Sequence, residues 1–268
     1  MTLDSATITA KSSLSPVVGP LLHKTDIVGL SLHELEAKVT TLGLPKFRAR
    51  QIWRWVWRHG LTGFDEMSDL GKQVRELLGL HFSIDRPAVS QRLQSVDGTI
   101  KWLIRFTDGN EAECVYIPDR ARGTLCVSSQ VGCTLTCSFC HTGTQKLVRN
   151  LTVAEICGQV LLAMDELNDW PSGKPERRLT NIVLMGMGEP LFNYENVSTA
   201  LGVIMSGEGV AISKRRITLS TSGVVPEISR CGRELGVNLA ISLHATNDKL
   251  RNNLVPINRK HPLAELID

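Results

Sequence analysis

Cys133, Cys137 and Cys140 stand as C-x-x-x-C-x-x-C inside the run C-V-S-S-Q-V-G-C-T-L-T-C-S-F-C-H, residues 126 to 141. Thiolates bind iron strongly, and iron–sulfur clusters normally take four of them. Three closely spaced ligands would leave one iron open to a substrate. A structural zinc held by the same three thiolates and His141 fits the spacing equally well. The triplet alone does not choose between the two.

Its surroundings do. Gly186-Met187-Gly188-Glu189-Pro190 follows directly on the apolar run Asn181–Met185. Glycines there let a backbone approach a ligand closely. A carboxylate beside them can bind a cationic amino group, such as that of S-adenosylmethionine (SAM). An open iron suits the same ligand, because reductive cleavage needs the sulfonium held against the cluster. Alone, the segment would read as an ordinary Gly-Pro turn. Ser220 and Ser242-Leu243-His244 follow two further apolar runs, so all three segments fall at the same end of successive strands. Active sites of parallel βα folds gather at that end. In isolation His244 reads as a satisfied structural histidine; its place in the series favours a site.

The elements that would carry these residues are legible from periodicity. Ser31 can cap a helix that Gly43 and Pro45 end. The segment Phe47–His59 puts Phe47, Trp53, Val56 and Trp57 on an apolar face and Arg50, Arg54 and Arg58 on another. A further helix is expected from Ser68 to Leu78. From Ile100 to Ile117 the period becomes two around Asp108-Gly109-Asn110, which reads as a β-hairpin. Alternation there puts Glu113 with Val115 and Ile117. On an apolar face that carboxylate would lose hydration and become a useful proton carrier. If Ala112, Cys114 and Tyr116 form the buried face, Glu113 is merely solvated. A strand Leu125–Ser128 leads into the cysteines.

Thereafter helices Thr152–Leu167, Asn196–Met205 and Pro226–Leu235 alternate with strands Asn181–Met185, Arg216–Leu219 and Asn238–Ser242, and a last helix begins near Pro262. The expectation is an α/β fold: a partial parallel (βα) barrel of four strands, preceded by a small helical N-terminal domain and a β-hairpin. The corresponding division is a disordered tail over 1–25, a helical accessory domain over 26–95, a hairpin linker over 96–120 and the partial barrel over 121–268. Cys157 and Cys231 fall on the apolar stripes of their helices and read as core, as does Cys114.

Composition sets outer bounds. The 268 residues are 42% hydrophobic and 21% charged, with a net charge of +3 and seven cysteines. That is close to an average globular chain. The first twenty residues hold no Arg and no apolar signal core, so a cytoplasmic home is expected. The weak positive charge would suit an RNA partner without proving one.

The runs C-V-S-S-Q-V-G-C-T-L-T-C-S-F-C, G-M-G-E-P, T-L-S-T-S-G-V-V-P and A-I-S-L-H-A together resemble radical SAM enzymes of the RlmN type, from about Leu32 to the last residue. The resemblance implies a [4Fe–4S] cluster on Cys133, Cys137 and Cys140, and a SAM site at Gly188, Glu189, Ser220, Ser242, Leu243 and His244. It implies a catalytic pair, with Glu113 as general base and Cys126 as the thiol that resolves a protein–RNA adduct. Attack of a thiolate on sulfur is sound chemistry for that release.

The implied reaction forms 2-methyladenosine in 23S ribosomal RNA and transfer RNA. A cysteine near the family's C-terminus is first methylated, and a second SAM then activates that methyl group for attachment to the ring. No cysteine here matches that methyl carrier, so the chain is expected to be C-terminally truncated. Also expected are a disulfide bond, RNA contacts at Arg50, Arg54 and Arg58, an electron donor such as flavodoxin, a monomeric state and no membrane. A Cfr-like enzyme acting at carbon 8, and a catalytically silent cluster- or zinc-bearing RNA-binding module, are the competing readings.

Overall fold

Seven strands hydrogen-bond into a single sheet in this computed structural model, which describes residues 24–120 and 122–268. The expected tail lies almost wholly outside those residues. Strands β1 (Thr25–Asp26) and β2 (Phe82–Ser83) pair with each other around helices α1 (Leu32–Thr41), α2 (Phe47–Trp57) and α3 (Lys72–His81). Then come β3 (Ala88–Gln94), β4 (Ile100–Arg105), β5 (Glu111–Asp119) and β6 (Arg122–Cys126). A two-strand clip of β7 (Gln130–Val131) and β8 (Arg149–Asn150) encloses the cysteine loop. The remainder runs α4 (Val153–Glu166), β9 (Asn181–Leu184), α5 (Tyr194–Met205), β10 (Ile217–Thr221), α6 (Val225–Glu234), β11 (Asn238–Ile241), α7 (Asp248–Leu254) and α8 (Leu263–Ile267).

The sheet order is β11-β10-β9-β6-β5-β4-β3. Strands β6, β9, β10 and β11 are parallel, joined by crossovers that carry α4, α5 and α6. Strands β3 to β6 are antiparallel. The fold is therefore α/β with an N-terminal helical region, and the hairpin is continuous with the parallel strands through the β5–β6 ladder.

Helix ends follow local chemistry. Ser31 and Thr152 both form capping boxes, with Glu34 and Glu155. Gly43 and Gly60 stop α1 and α2 at φ values of 75° and 76°. The third helix starts at Lys72, later than the Ser68 expected, because Met67 and Leu70 are buried in turns that precede it. Phe47, assigned to the apolar face of α2, is 55% exposed, whereas Trp53, Val56 and Trp57 are buried. Strand β3 and helix α7 were not expected. Every residue of β3 is exposed, so no alternation marks it.

Register divides the sheet into two faces. Ala112, Cys114, Tyr116, Leu125, Ile182, Leu184, Ile217 and Leu219 share one face, all at most 3% exposed, and join the core with α4 and α5. The other face is open. The N-terminal helices dock on the covered side: Arg86 pairs with Asp165 of α4 at 2.6 Å, and a side chain at Gly60 would collide with Trp170. Among the described residues, no helix is long and apolar enough to cross a membrane.

Beyond β6 the chain runs through Ser128, Ser129 and Gln130, all at most 2% exposed. Gln159 of α4 takes the place of a neighbouring strand here. Its Oε1 accepts from the Ser128 amide at 2.8 Å and its Nε2 donates to the Ser128 carbonyl at 3.0 Å. Gln159→Leu should strand both backbone groups and cost about 1–3 kcal/mol for each buried group left unpaired. Urea denaturation of the variant checks this; an unchanged midpoint would refute it.

Candidate active site

The C-terminal ends of β9, β10 and β11 meet the cysteine loop around a cavity of about 320 Å³. Cys133, Cys137 and Cys140 line one side, and Gly188, Glu189, Ser220, Ser242 and His244 line the other. Eight of the residues singled out from sequence thus surround one space. Leu243 borders it in sequence but is 40% exposed and does not line it.

The glycines of Gly186-Met187-Gly188 also answer to a packing constraint. A side chain at Gly186 would sit 2.6 Å from Ser128 Oγ, and one at Gly188 would sit 2.6 Å from Gln130 Cβ. Gly188 also has φ 101°, a value L side chains rarely adopt. They let this turn close onto the segment after β6, and both glycines also line the cavity. Gln130 completes the closure, since its Oε1 accepts from the amides of Glu189 at 3.0 Å and Thr134 at 3.2 Å.

Glu189 is 3% exposed. Its carboxylate accepts from the Ser222 amide at 2.8 Å and the Leu191 amide at 3.2 Å. Burial pushes its pKa up, opposed by those backbone hydrogen bonds. Its charge reaches the cysteines: burial, then the Glu189 and Cys140 charges, push the Cys133 thiol up against a hydrogen bond from Leu135. Cys137 is pushed up by burial and by Cys133 and Cys140.

The three thiols and the buried Glu189 carboxylate border one cavity, and burial together with their mutual influence disfavours negative charge on Cys133, Cys137 and Glu189, an arrangement that a cationic centre would relieve. Among the described residues, no three His, Cys, Asp or Glu side chains converge on a single ion.

Ser220 and Ser242 face each other across β10 and β11, their hydroxyls 3.4 Å apart. His244 holds φ 58°, unusual for a non-glycine residue, and its ring lies 4.1 Å from Phe139 of the cysteine loop.

Glu113 and Cys126, the expected catalytic pair, do not line the cavity but share the open face of the sheet. Val115 is the register partner of Cys126, and Cys126 of Val183, so Glu113, Val115, Cys126 and Val183 share a side. The apolar-face reading of Glu113 is corrected: Ala112, Cys114 and Tyr116 form the buried side, and Glu113 is exposed and paired with Lys101 at 2.8 Å. Cys126 is half-buried, and burial pushes its thiol up against a hydrogen bond from the Met185 backbone. All seven cysteines are free thiols, so the expected disulfide is absent among the described residues.

Arg50, Arg54 and Arg58 do line one side of α2, but the stripe is partly neutralised. Arg54 bonds Glu208 at 2.5 Å and Arg50 lies 3.8 Å from Glu36. Sequence reasoning missed Gln130, Gln159 and Asn193, whose amides bind the segment after β6, and also Arg251. The Asn247 cap and Pro256 could have signalled α7, which carries Arg251; nothing in the pattern marked the amides.

Comparison with known proteins shows the family. Residues 25–84 match the ribosomal RNA large subunit methyltransferase N-terminal domain, and residues 127–268 match the radical SAM superfamily. The dual-specificity RNA methyltransferase RlmN of Granulibacter bethesdensis is 56% identical over 98% of this chain and 68% of its own length. The chain belongs to the RlmN family. The RlmN of Rhodospirillum rubrum is 59% identical over 90% of this chain and 57% of its own. A crystal structure of a radical SAM methyltransferase from Sphaerobacter thermophilus superposes with a TM-score of 0.83 at 44% identity, over 91% of this chain and 70% of that one. The chain thus spans between 57% and 70% of the lengths of these relatives. The family's cofactors are a [4Fe–4S] cluster and SAM, which the thiol set and the cavity fit.

Two measurements check this geometry. Gly188→Ala must adopt the strained φ and push against Gln130, so it should lower thermal stability and iron uptake together. Cys126, protonated at neutral pH, should react slowly with iodoacetamide there and faster as pH rises, followed by peptide mass mapping. Rapid labelling at neutral pH would contradict the burial assigned to it.

Proposed function

We propose that this chain is the catalytic body of an enzyme that methylates carbon 2 of adenine in 23S ribosomal RNA and transfer RNA. The observation that carries the reading is the single cavity bounded by three thiols on one side and by Glu189, Ser220, Ser242 and His244 on the other. In this reading Cys133, Cys137 and Cys140 hold the [4Fe–4S] cluster. When bound, that cluster supplies the electron for reductive cleavage of SAM.

Glu189 binds the cationic amino group of SAM, because it borders the cavity and its buried carboxylate is held by the backbone amides of Ser222 and Leu191. Gly188 presents backbone at the cavity edge. Ser220, Ser242, Leu243 and His244 border the rest of the cofactor. Ring carbon 2 of adenine is a poor nucleophile, so ordinary methyl transfer fails, and a proton must leave that carbon during substitution. Glu113 takes it, after exchanging Lys101 for substrate. Cys126, on the same open face, attacks the sulfur of the methyl-carrying cysteine that the resemblance implies once its own thiol is deprotonated. A disulfide forms, the bond from that sulfur to the ring-bound carbon breaks, and that carbon takes up a proton to become the product's methyl group.

RNA is held in part by phosphate contacts at Arg50, Arg54 and Arg58. The protein acts in the cytoplasm as a monomer, with a small electron donor such as flavodoxin.

Anaerobic reconstitution with iron and sulfide tests the core of this proposal. The chain should gain broad visible absorbance and cleave SAM under a reductant, and Cys133→Ala, Cys137→Ala or Cys140→Ala should each abolish both. Iron content that survived all three replacements would overturn the assignment. Charge reversal at Arg50 and Arg58 should weaken RNA binding and reduce the slope of log affinity against log salt by about 0.7–0.9 per lost phosphate contact. An unchanged slope would make the stripe a solvated helix face.

A further inference from the structure

Helix α7 touches both walls of the cavity. The amide of Ser138, in the cysteine loop, donates to the Leu254 carbonyl at the end of α7 at 3.2 Å. At the centre of the helix Arg251 is 0% exposed. Arginine is almost never fully buried unless paired. Here the guanidinium is met by neutral oxygens: Nε donates to the Leu243 carbonyl at 3.0 Å and Nη1 to Asn258 Oδ1 at 2.6 Å. Nη2 donates to the carbonyls of Ser222 at 2.7 Å and Ser242 at 3.2 Å. Three of these four acceptors are backbone groups at the ends of β10 and β11, where Ser222 and Ser242 line the cavity.

Burial pulls the Arg251 pKa down, and the charges of Asp248 and Cys137 oppose that pull. Three residues on, Leu254 of the same helix holds the amide of Ser138, the neighbour of Cys137, so the buried cation stands beside the Cys137 end of the cysteine loop.

We propose that Arg251 is the positioning residue of the SAM site: its planar fork fixes the ends of β10 and β11 through their carbonyls, and its buried charge offsets the anionic cluster on the Cys137 side. This rests on the function proposed above. A planar guanidinium can hold four acceptors in fixed directions, which an ammonium cannot. A [4Fe–4S] cluster on three thiolates is an anion, and reduction adds a further negative charge. A nearby fixed cation therefore favours the reduced form.

The two roles separate by substitution in anaerobically reconstituted protein. Arg251→Lys keeps the charge and loses the fork. It should bind SAM about tenfold more weakly, the order expected from losing one or two hydrogen bonds to a charged group, with the midpoint potential held. Arg251→Gln loses both and should also make the cluster harder to reduce. The expected change in the redox equilibrium is about tenfold, ~59 mV for one electron.

The readouts are iron content, SAM binding by equilibrium dialysis, and potentiometry followed by electron paramagnetic resonance. A loaded Arg251→Gln protein with unchanged SAM affinity and potential overturns the proposal, even if its thermal stability falls. Should that variant not fold, Arg251→Lys and Asn258→Ala decide: unchanged SAM affinity in both overturns it. A wild-type chain that takes up no iron and binds no SAM sinks the proposed function itself. A wild type that does both, beside indifferent variants, sinks only this inference.

Discussion

The pairing of Gln159 with both backbone groups of Ser128 is the contact on which the site rests. A chain leaving a sheet edge carries amides and carbonyls that must be met, or each costs stability once buried. Here the departing segment cannot be solvated, because the cysteine loop has to close over the strand ends. Side-chain amides substitute for strands: Gln159 on one side, Asn193 bonding the carbonyls of Ser129 and Leu151 at 2.8 Å, and Gln130 reaching forward to Glu189 and Thr134. These contacts join the cysteine loop, the glycine turn and α4 into one rigid body. The glycines at 186 and 188 belong to the same constraint, since any side chain there would occupy space already taken by Ser128 and Gln130.

Strand parity does the rest. Once β6 is registered against β5 and β9, Cys126 must face the open side and Leu125 the core. The same parity carries across β10 and β11: Ser220 is registered with Ala240, so Ser242, two residues further on, falls on the same side as Ser220. A slip of one residue would exchange Cys126 with a core leucine and bury the serines. The apolar face is what forbids that slip: Leu125, Ile182, Ile217 and Leu219 are each at most 1% exposed, and no alternative register hides them.

How much of this was legible depended on whether the signal was local. The capping boxes at Ser31 and Thr152, the glycine stops and the three crossover helices could be read from neighbours in sequence. So could the convergence of the three cysteines with Glu189, Ser220, Ser242 and His244, because parallel strands send their C-terminal ends the same way. The facing of Glu113 was not legible. Alternation gives two faces, and only the pairing of β5 with its neighbours says which is covered. Strand β3 has no buried residue to show a period, so its existence depends on β4 alone. The amides of Gln130, Gln159 and Asn193 act over 20 to 64 residues of sequence, a range at which a single chain carries no visible pattern.

The electrostatics of the cavity turn on one residue. The Ser222 amide donates to Glu189, and the Ser222 carbonyl accepts from Arg251. A buried acid and a buried base thus approach the same residue from opposite sides and bond its backbone rather than each other. A direct ion pair would have spent both charges on mutual neutralisation, at the desolvation cost that makes buried pairs poor sources of stability. Held apart, each charge remains available. The carboxylate borders the cavity, and the guanidinium lies behind the ends of β10 and β11, on the helix that holds the cysteine loop. That division gives physical sense to two otherwise expensive features, a carboxylate 3% exposed and an arginine 0% exposed. Each is tolerable because backbone dipoles solvate it, and each gains further once the opposite charge arrives with a ligand.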